Sequence, residues 1–338
     1  MLTFIVRRIL YSIPVLIIAS VLVFFFVHAT TDPLARFRTR DPNTRTEAGL
    51  RIGVLENPCT KVGPDKNILK CTETPLWTQY ARWAKKFVRG DMGQSFVTSR
   101  AVSTELRSHL WATIQLIIWG IAISAIIAVA VGVYSAVRQY SALDYAFTGL
   151  SFIGLSMPPF WFGLIAIQFL SFELRNVLHT KDPIFFSIGL HSSATAGFGD
   201  YLRHLALPVL TLTIQIIAEW SRYQRSSMLD VMSADYIRTA RAKGLSEVRV
   251  VGKHALRNAL IPLVTVMAVD IGALFGGLLI TEQIFSWPGM GRLFIDSLTN
   301  GDTNVLLPWL MVTAIFIIVF NLLADVLYGV LDPRIRLA

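Results

Sequence analysis

Glu219, Asp270 and Asp325 fall inside long apolar runs, where an acid at the centre of a bilayer costs about 2.5–3.5 kcal/mol on insertion scales. A carboxylate kept there has two ordinary uses. It can line a polar route, with Asp270, or Glu219 together with Thr211 and Gln215, meeting a cationic group such as a peptide amine, or it can pair with a neighbouring helix. Both readings stand at this level. Paired acids could also support hydrolysis, and Asp200 adds a fourth acid. However, Asp200 sits in a polar connection, and hydrolysis needs two acids facing each other at membrane depth. Cys59 and Cys71 are the only cysteines. They form a disulfide if exported or remain two free thiols, and without nearby histidines they supply too few ligands for a metal.

The elements that must position these groups are set by composition. Of 338 residues, 54% are hydrophobic and 16% charged, outside the range of water-soluble domains. Six apolar runs reach the roughly 20 residues a bilayer core requires: about Ile9–Ala29, Ala112–Val137, Ala146–Phe172, Leu205–Trp220, Leu260–Phe285 and Val305–Val330. Lipid offers the backbone no partners, so each is expected to be helical, giving an all-α polytopic fold with six transmembrane helices. Arg7 and Arg8 precede the first run, Arg138 lies between the second and third, and the connection from Arg222 to Arg257 inclusive holds eight Lys or Arg. By the positive-inside rule these are cytoplasmic, as are both termini. The net charge of +9 is then partly a topological signal and calls for no nucleic acid. The first run is longer than a signal-peptide core and is expected to stay uncleaved.

Three regions follow: 1–29, the cytoplasmic N-terminus and first helix; 30–111, an extracytoplasmic insertion; and 112–338, a five-helix core with a loop at 230–262. Within the insertion, Asp41–Glu73 reads as a polar, flexible segment carrying both cysteines. In Leu76–Phe96, Trp77, Tyr80, Trp83 and Phe87 recur at helical spacing, which predicts an amphipathic helix near the membrane surface.

The loop DYIRTARAKGLSEVRVVGKHALRNALIP (Asp235–Pro262) is unusually regular for a connector. Asp235 is expected to cap a first helix that stops at Gly244, a left-handed C′ position, and Ser246 a second that runs into the fifth span. Ile237, Ala240 and Leu245 would form an apolar contact surface inside a basic rim.

This loop resembles the helix–glycine–helix segment of ABC importer permeases. ARAKG (Ala240–Gly244) and HALRNALIP (His254–Pro262) are close to the version in dipeptide and oligopeptide permeases. Resemblance extends along the chain through MLTFIVRRIL, PLWTQYARWAKKFVRGDMGQSF, GLSMPPFWFG, RSSML, TEQIFSWPGMGRL and LDPRIRL. It implies a bacterial inner-membrane permease, not itself an enzyme, importing dipeptides or, alternatively, oligopeptides, glutathione, nickel chelates or haem. It further implies ATPase coupling through Asp235, Tyr236, Ile237, Arg238, Ala240, Arg241, Lys243, Gly244 and Leu245. The sequence contains no GxxxxGK[ST] phosphate loop, so ATP and magnesium belong to two ATP-binding subunits or one fused ATPase. A second homologous permease and an extracytoplasmic binding protein complete the expected assembly. Trp287, Pro288, Gly289, Met290 and Gly291 form an outer loop that either enters the binding protein's pocket or packs as a hairpin. GFGD (Gly197–Asp200) resembles the GxGD of intramembrane aspartyl proteases, but in the wrong context. Neither a charge ring nor a filter-like loop suggests a channel.

Overall fold

The computed structural model describes residues 2–32, 34, 42–62, 68–193 and 195–331. Among the described residues, five helices are long and apolar enough to cross a membrane, or six if one bent pair is a single span. The chain divides into two compact units: Met1–Ile9, Leu110–Arg292 and Phe316–Ala338; and Leu10–His109 with Leu293–Ile315. Helices α1 (Leu2–Thr30), α4 (Val102–Val137) and α14 (Thr303–Leu331) contribute to both. Residues 332–337 of the terminal LDPRIRL motif and the tip of the insert, 63–67, lie outside the described residues.

In the first unit, α5 (Ala142–Ser156) opens on a serine N-cap, with Ser141 Oγ accepting from the Asp144 amide at 3.2 Å. The Asp144 carboxylate accepts two 3.0 Å bonds from Arg225 on α8 (Phe198–Met232), tying the two helices together. The expected third span is not continuous. It breaks at Met157–Pro158–Pro159 and bends by 105° into α6 (Pro159–Ala166), which continues through a π-helical turn to α7 (Leu174–Leu178). Proline disfavours helix at the preceding residue and removes donors. The freed Met157 carbonyl is satisfied by Gln215 Nε2 at 2.9 Å. Small residues let the helices close: Gly154 lies against Ala218, and Gly163 against Thr211 and Phe285.

After α8 come α9 (Asp235–Ala242), α10 (Glu247–Arg249), a π-helical turn at Val250–Ala255, and α11 (Leu256–Gly277). The fifth span is also shorter than expected. It ends before Leu278, and Leu279–Ile284 forms a separate short helix, α12. Buried Trp220 packs with Ala128 and Leu263, while Leu116, Tyr201, Leu205, Val209 and Trp287 form another cluster.

The second unit corrects the reading of Asp41–Glu73 as flexible. It folds as α2 (Pro42–Ile52) and an antiparallel hairpin, β1 (Leu55–Val62) with β2 (Ile68–Glu73), a departure from the all-α expectation. Cys59 and Cys71 are joined by a disulfide. Strand exposes backbone that needs a partner, and cross-linking a short loop supplies restraint where little core exists. Helix α3 (Leu76–Val88) packs on α1 through Tyr80 and Trp83, which meet Phe24. Trp77 contacts Phe25 yet stays largely exposed, so the expected stripe is only partly covered. A polar knot organises the loop before α4: Ser95 Oγ donates to Asp302 Oδ2 at 2.7 Å, and the amides of Val97 and Thr98 donate to Ser95 Oγ.

Candidate functional site

The connection between α8 and α11 builds a compact elbow. Helix α9 begins after Ala234, which takes the N-cap position with extended ψ, so Asp235 is the first helical residue and not the expected cap. Its acid still favours the helix start and pairs with Arg238. The helix stops as expected: Gly244 has φ +74, and its amide bonds to the Arg241 carbonyl at 2.9 Å. A residue without Cβ adopts that conformation freely. Ser246 starts α10 with extended ψ, its carbonyl accepting from the Arg249 and Val250 amides, without a side-chain cap.

Ile237 and Ala240 are buried, and they do not form an outer contact surface. They pack with Met228, Ala136, Val250, Ala255 and Ala259, with Leu245 half-buried beside them. The apolar side of α9 thus glues the elbow to its own scaffold, because three-to-four-residue spacing places those residues on one face. The exposed face carries Asp235, Tyr236, Arg238, Arg241 and Lys243. Two links stiffen it. Arg241 grips Glu247 across the glycine with bonds of 2.6 and 3.2 Å, and Asn258 Nδ2 donates to the Tyr236 hydroxyl at 2.9 Å. The Glu247 carboxylate holds the Arg241 guanidinium above its ordinary value.

The in-span residues separate into different roles. Thr211 is buried, donates to the Leu207 carbonyl and contacts Gly163. Gln215 supports the α5 break. Asp270 accepts a 2.7 Å bond from Trp220 Nε1, and Asp325 pairs with Arg8 at 3.0 Å. Glu219 is exposed, within electrostatic reach of Asp270 and Arg222. Asp200 accepts from Ser192 Oγ at 2.7 Å and faces His191 and His204, with no second acid among its described contacts.

The loop Trp287–Gly291 is packed inward. Trp287 is fully buried and donates from Nε1 to the Ala112 carbonyl at 2.9 Å; Met290 and both glycines are buried too. At the centre stands a residue the sequence reading passed over, Glu282. Its Oε1 accepts from Thr113 Oγ1 at 2.6 Å, its Oε2 from the Arg292 amide at 3.1 Å, and Thr113 Oγ1 in turn accepts from the Met290 amide at 2.8 Å. The signal was available, since Glu282 lies inside the apolar run assigned to the fifth span. The Arg292 guanidinium turns to the Ser286 carbonyl.

Glu282 lies on α12, after the α11 span has ended at Gly277. Burial pushes its carboxyl up to about 7, against the lowering effect of the Thr113 hydroxyl and the Arg292 and Gly291 amides. A folded value above the ordinary one means that stability from this group is complete below about 4.5 and lost as pH rises through about 7. The loss is roughly 3 kcal/mol at 1.36 kcal/mol per unit. Thermal unfolding of the purified chain should therefore shift downward between pH 4.5 and 7 and level off above. Glu282→Gln should flatten that dependence; an unchanged pH profile in the variant would refute the assignment.

Residues 128–337 match the sequence profile described as binding-protein-dependent transport system inner membrane component. The oligopeptide transport system permease protein AppB of Bacillus subtilis is 38% identical over 99% of this chain and 100% of its own length. The dipeptide transport system permease protein DppB of Escherichia coli is 36% identical, covering 99% of each chain. The glutathione transport system permease protein GsiC of the same organism is 36% identical over 99% of each. Among solved structures, the inward-facing MetNI methionine ABC transporter aligns with TM-score 0.53 and 19% identity, over 68% of this chain and 96% of that one. That likeness concerns the fold.

Proposed function

We propose, because the chain belongs to the family of binding-protein-dependent transport system inner membrane components, that it is the membrane-spanning permease subunit of an ATP-driven importer of short peptides. The observation that carries this is end-to-end alignment with permeases whose cargoes are oligopeptides, dipeptides and glutathione. All three cargoes are peptides with a free amine, and dipeptides lead as cargo.

In this reading the α9–α10 elbow faces the cytoplasm and receives the stroke of ATPase subunits, two separate chains or one fused, with both termini on the same side and the 30–111 insertion outside. The elbow suits that task because its buried face is fastened to α8 and α11 while its charged face is exposed. Displacement of the docked ATPases would then move two spans as one body. A second, related permease completes the pathway, and an extracytoplasmic binding protein delivers cargo. Glu219 lines that pathway: a bare carboxylate exposed midway along a span does not face lipid. Asp270, held by Trp220, supports it, with Thr211 and Gln215 positioning the helices around it. Trp287, Gly289, Met290 and Gly291 pack the base of the outer hairpin, leaving the half-buried Pro288 as the part of this loop that the binding protein can reach.

The test is the chain reconstituted with its partner subunits in proteoliposomes. Peptide uptake should require ATP, and Arg241→Glu should lower it at least tenfold. The Arg241–Glu247 pair is too exposed for its loss alone to unfold the elbow, since such pairs contribute about 0–1 kcal/mol. Adding Glu247→Arg restores the pair but not the docking charge, so uptake should remain low. Recovery in the double variant would assign Arg241 to the pair instead of the ATPase, and uptake without ATP would overturn the importer reading.

A further inference from the structure

Helix α3 carries two faces with different chemistry. Tyr80 and Trp83 pack on α1, whereas Leu76, Trp77 and Val88 leave apolar surface exposed. On the opposite side, helical spacing aligns Arg82, Lys85, Lys86 and Arg89. Arg82 is engaged by Glu56 at 2.8 Å. Lys85, Lys86 and Arg89 are exposed, and no side-chain partner for them occurs among the described residues. The α3 C-terminus favours cations nearby, but it leaves their ammonium and guanidinium groups directed outward.

The depth of α3 follows from its contacts. The Tyr80 hydroxyl bonds to Ser20 Oγ at 2.8 Å, and the Tyr80 and Trp83 rings meet Phe24. At the helical rise, Phe24 lies about 9 Å and Ser20 about 15 Å from the Thr30 end of the apolar α1. The aromatic side of α3 therefore lies along the apolar α1, and the basic side is turned away from it. An apolar side against a membrane-crossing helix and a basic side turned away from it is the division of faces that an amphipathic membrane helix carries.

We propose that Lys85, Lys86 and Arg89 bind the phosphate headgroups of anionic phospholipids, making α3 a lipid-specific anchor for the second unit. The charges are complementary, and the exposed Trp77 and Val88 supply the acyl contact that a soluble protein partner would not need. Each basic residue near an anionic surface strengthens attachment by about fivefold, and the attraction is screened by salt.

The experiment uses the purified full-length chain in nanodiscs of phosphatidylcholine mixed with phosphatidylglycerol, with retained lipids counted by native mass spectrometry. The wild type should enrich phosphatidylglycerol, increasingly so at low salt. The triple variant Lys85→Ser, Lys86→Ser, Arg89→Ser should lose at least tenfold of that enrichment, while Lys85→Arg with Lys86→Arg keeps it. Equal enrichment in wild type and triple variant, or wild-type enrichment indifferent to salt, overturns the proposal. So does a triple variant that retains phosphatidylglycerol but no longer binds the extracytoplasmic binding protein in pure phosphatidylcholine, which would make the face a protein dock. The salt titration on the wild type stands even if the triple variant fails to fold.

Discussion

Gly244→Val should abolish ATP-dependent uptake, a loss of a hundredfold or more, while membrane insertion and the amount of assembled chain stay as in the wild type. Gly244 holds φ +74, a conformation that costs a β-branched residue of order 1–3 kcal/mol. Nothing lies within 4 Å of the Cβ that valine would add, so no clash is created. The strain is relieved by turning the backbone, and that swings α10 away from α9. Because Ile237 and Ala240 keep α9 fastened, the displacement falls on the exposed charged face, where the ATPase is proposed to dock. Gly244→Asn supplies the control, since asparagine tolerates the left-handed region; uptake should stay within a few-fold of wild type. The measurement is peptide uptake and peptide-stimulated ATP hydrolysis in proteoliposomes. Full activity in the valine variant would remove the elbow from the coupling path.

Gly291→Ala should act differently, by destabilising the chain itself. A Cβ at Gly291 would lie 2.5 Å from the Leu279 Cα and 2.9 Å from its nitrogen, and one at Gly289 would lie 2.2 Å from Glu282 Oε1. The first obstacle is backbone and cannot rotate away. Overpacking usually costs about 1–3 kcal/mol and occasionally more, and here it also displaces the donors that surround a buried carboxylate. A loss of about 3 kcal/mol or more is expected, read as a fall in thermal stability and in recovered protein. Pro288→Ala, on a half-buried neighbour, should cost far less. If Gly291→Ala is as stable as the wild type, the hairpin is looser than its geometry implies.

The elbow was the most legible part of the chain before folding. A helix former run ending in glycine, then Ser246, is local information, and local backbone preference decides it: the stop at Gly244 and the start at Ser246 both appear. The direction of its apolar face was not local. Periodicity puts Ile237 and Ala240 on one side but cannot say whether that side meets the same chain or another; contact with Met228, Val250 and Ala259 decides for the same chain.

The same division runs through the membrane helices. Lipid imposes helix on any apolar run of sufficient length, so their number and approximate place were readable from composition. The breaks were not, because they depend on partners far along the chain. The Met157–Pro158 bend requires Gln215 to satisfy a carbonyl, and α12 separates from α11 around the Glu282–Thr113 contact, 169 residues apart. Acids within spans were visible as residues needing a reason, whereas the reason was tertiary: Arg8 for Asp325 and Trp220 for Asp270. The insert shows the limit most plainly. Its polar, turn-rich composition read as flexible, and what orders it is a cross-strand disulfide and strand pairing, whose register composition does not reveal even though the partners lie close in sequence. What sequence alone determined here is what solvent and backbone preference enforce residue by residue. What the tertiary structure decided is which polar group meets which, because that depends on distances that exist only once the chain is folded.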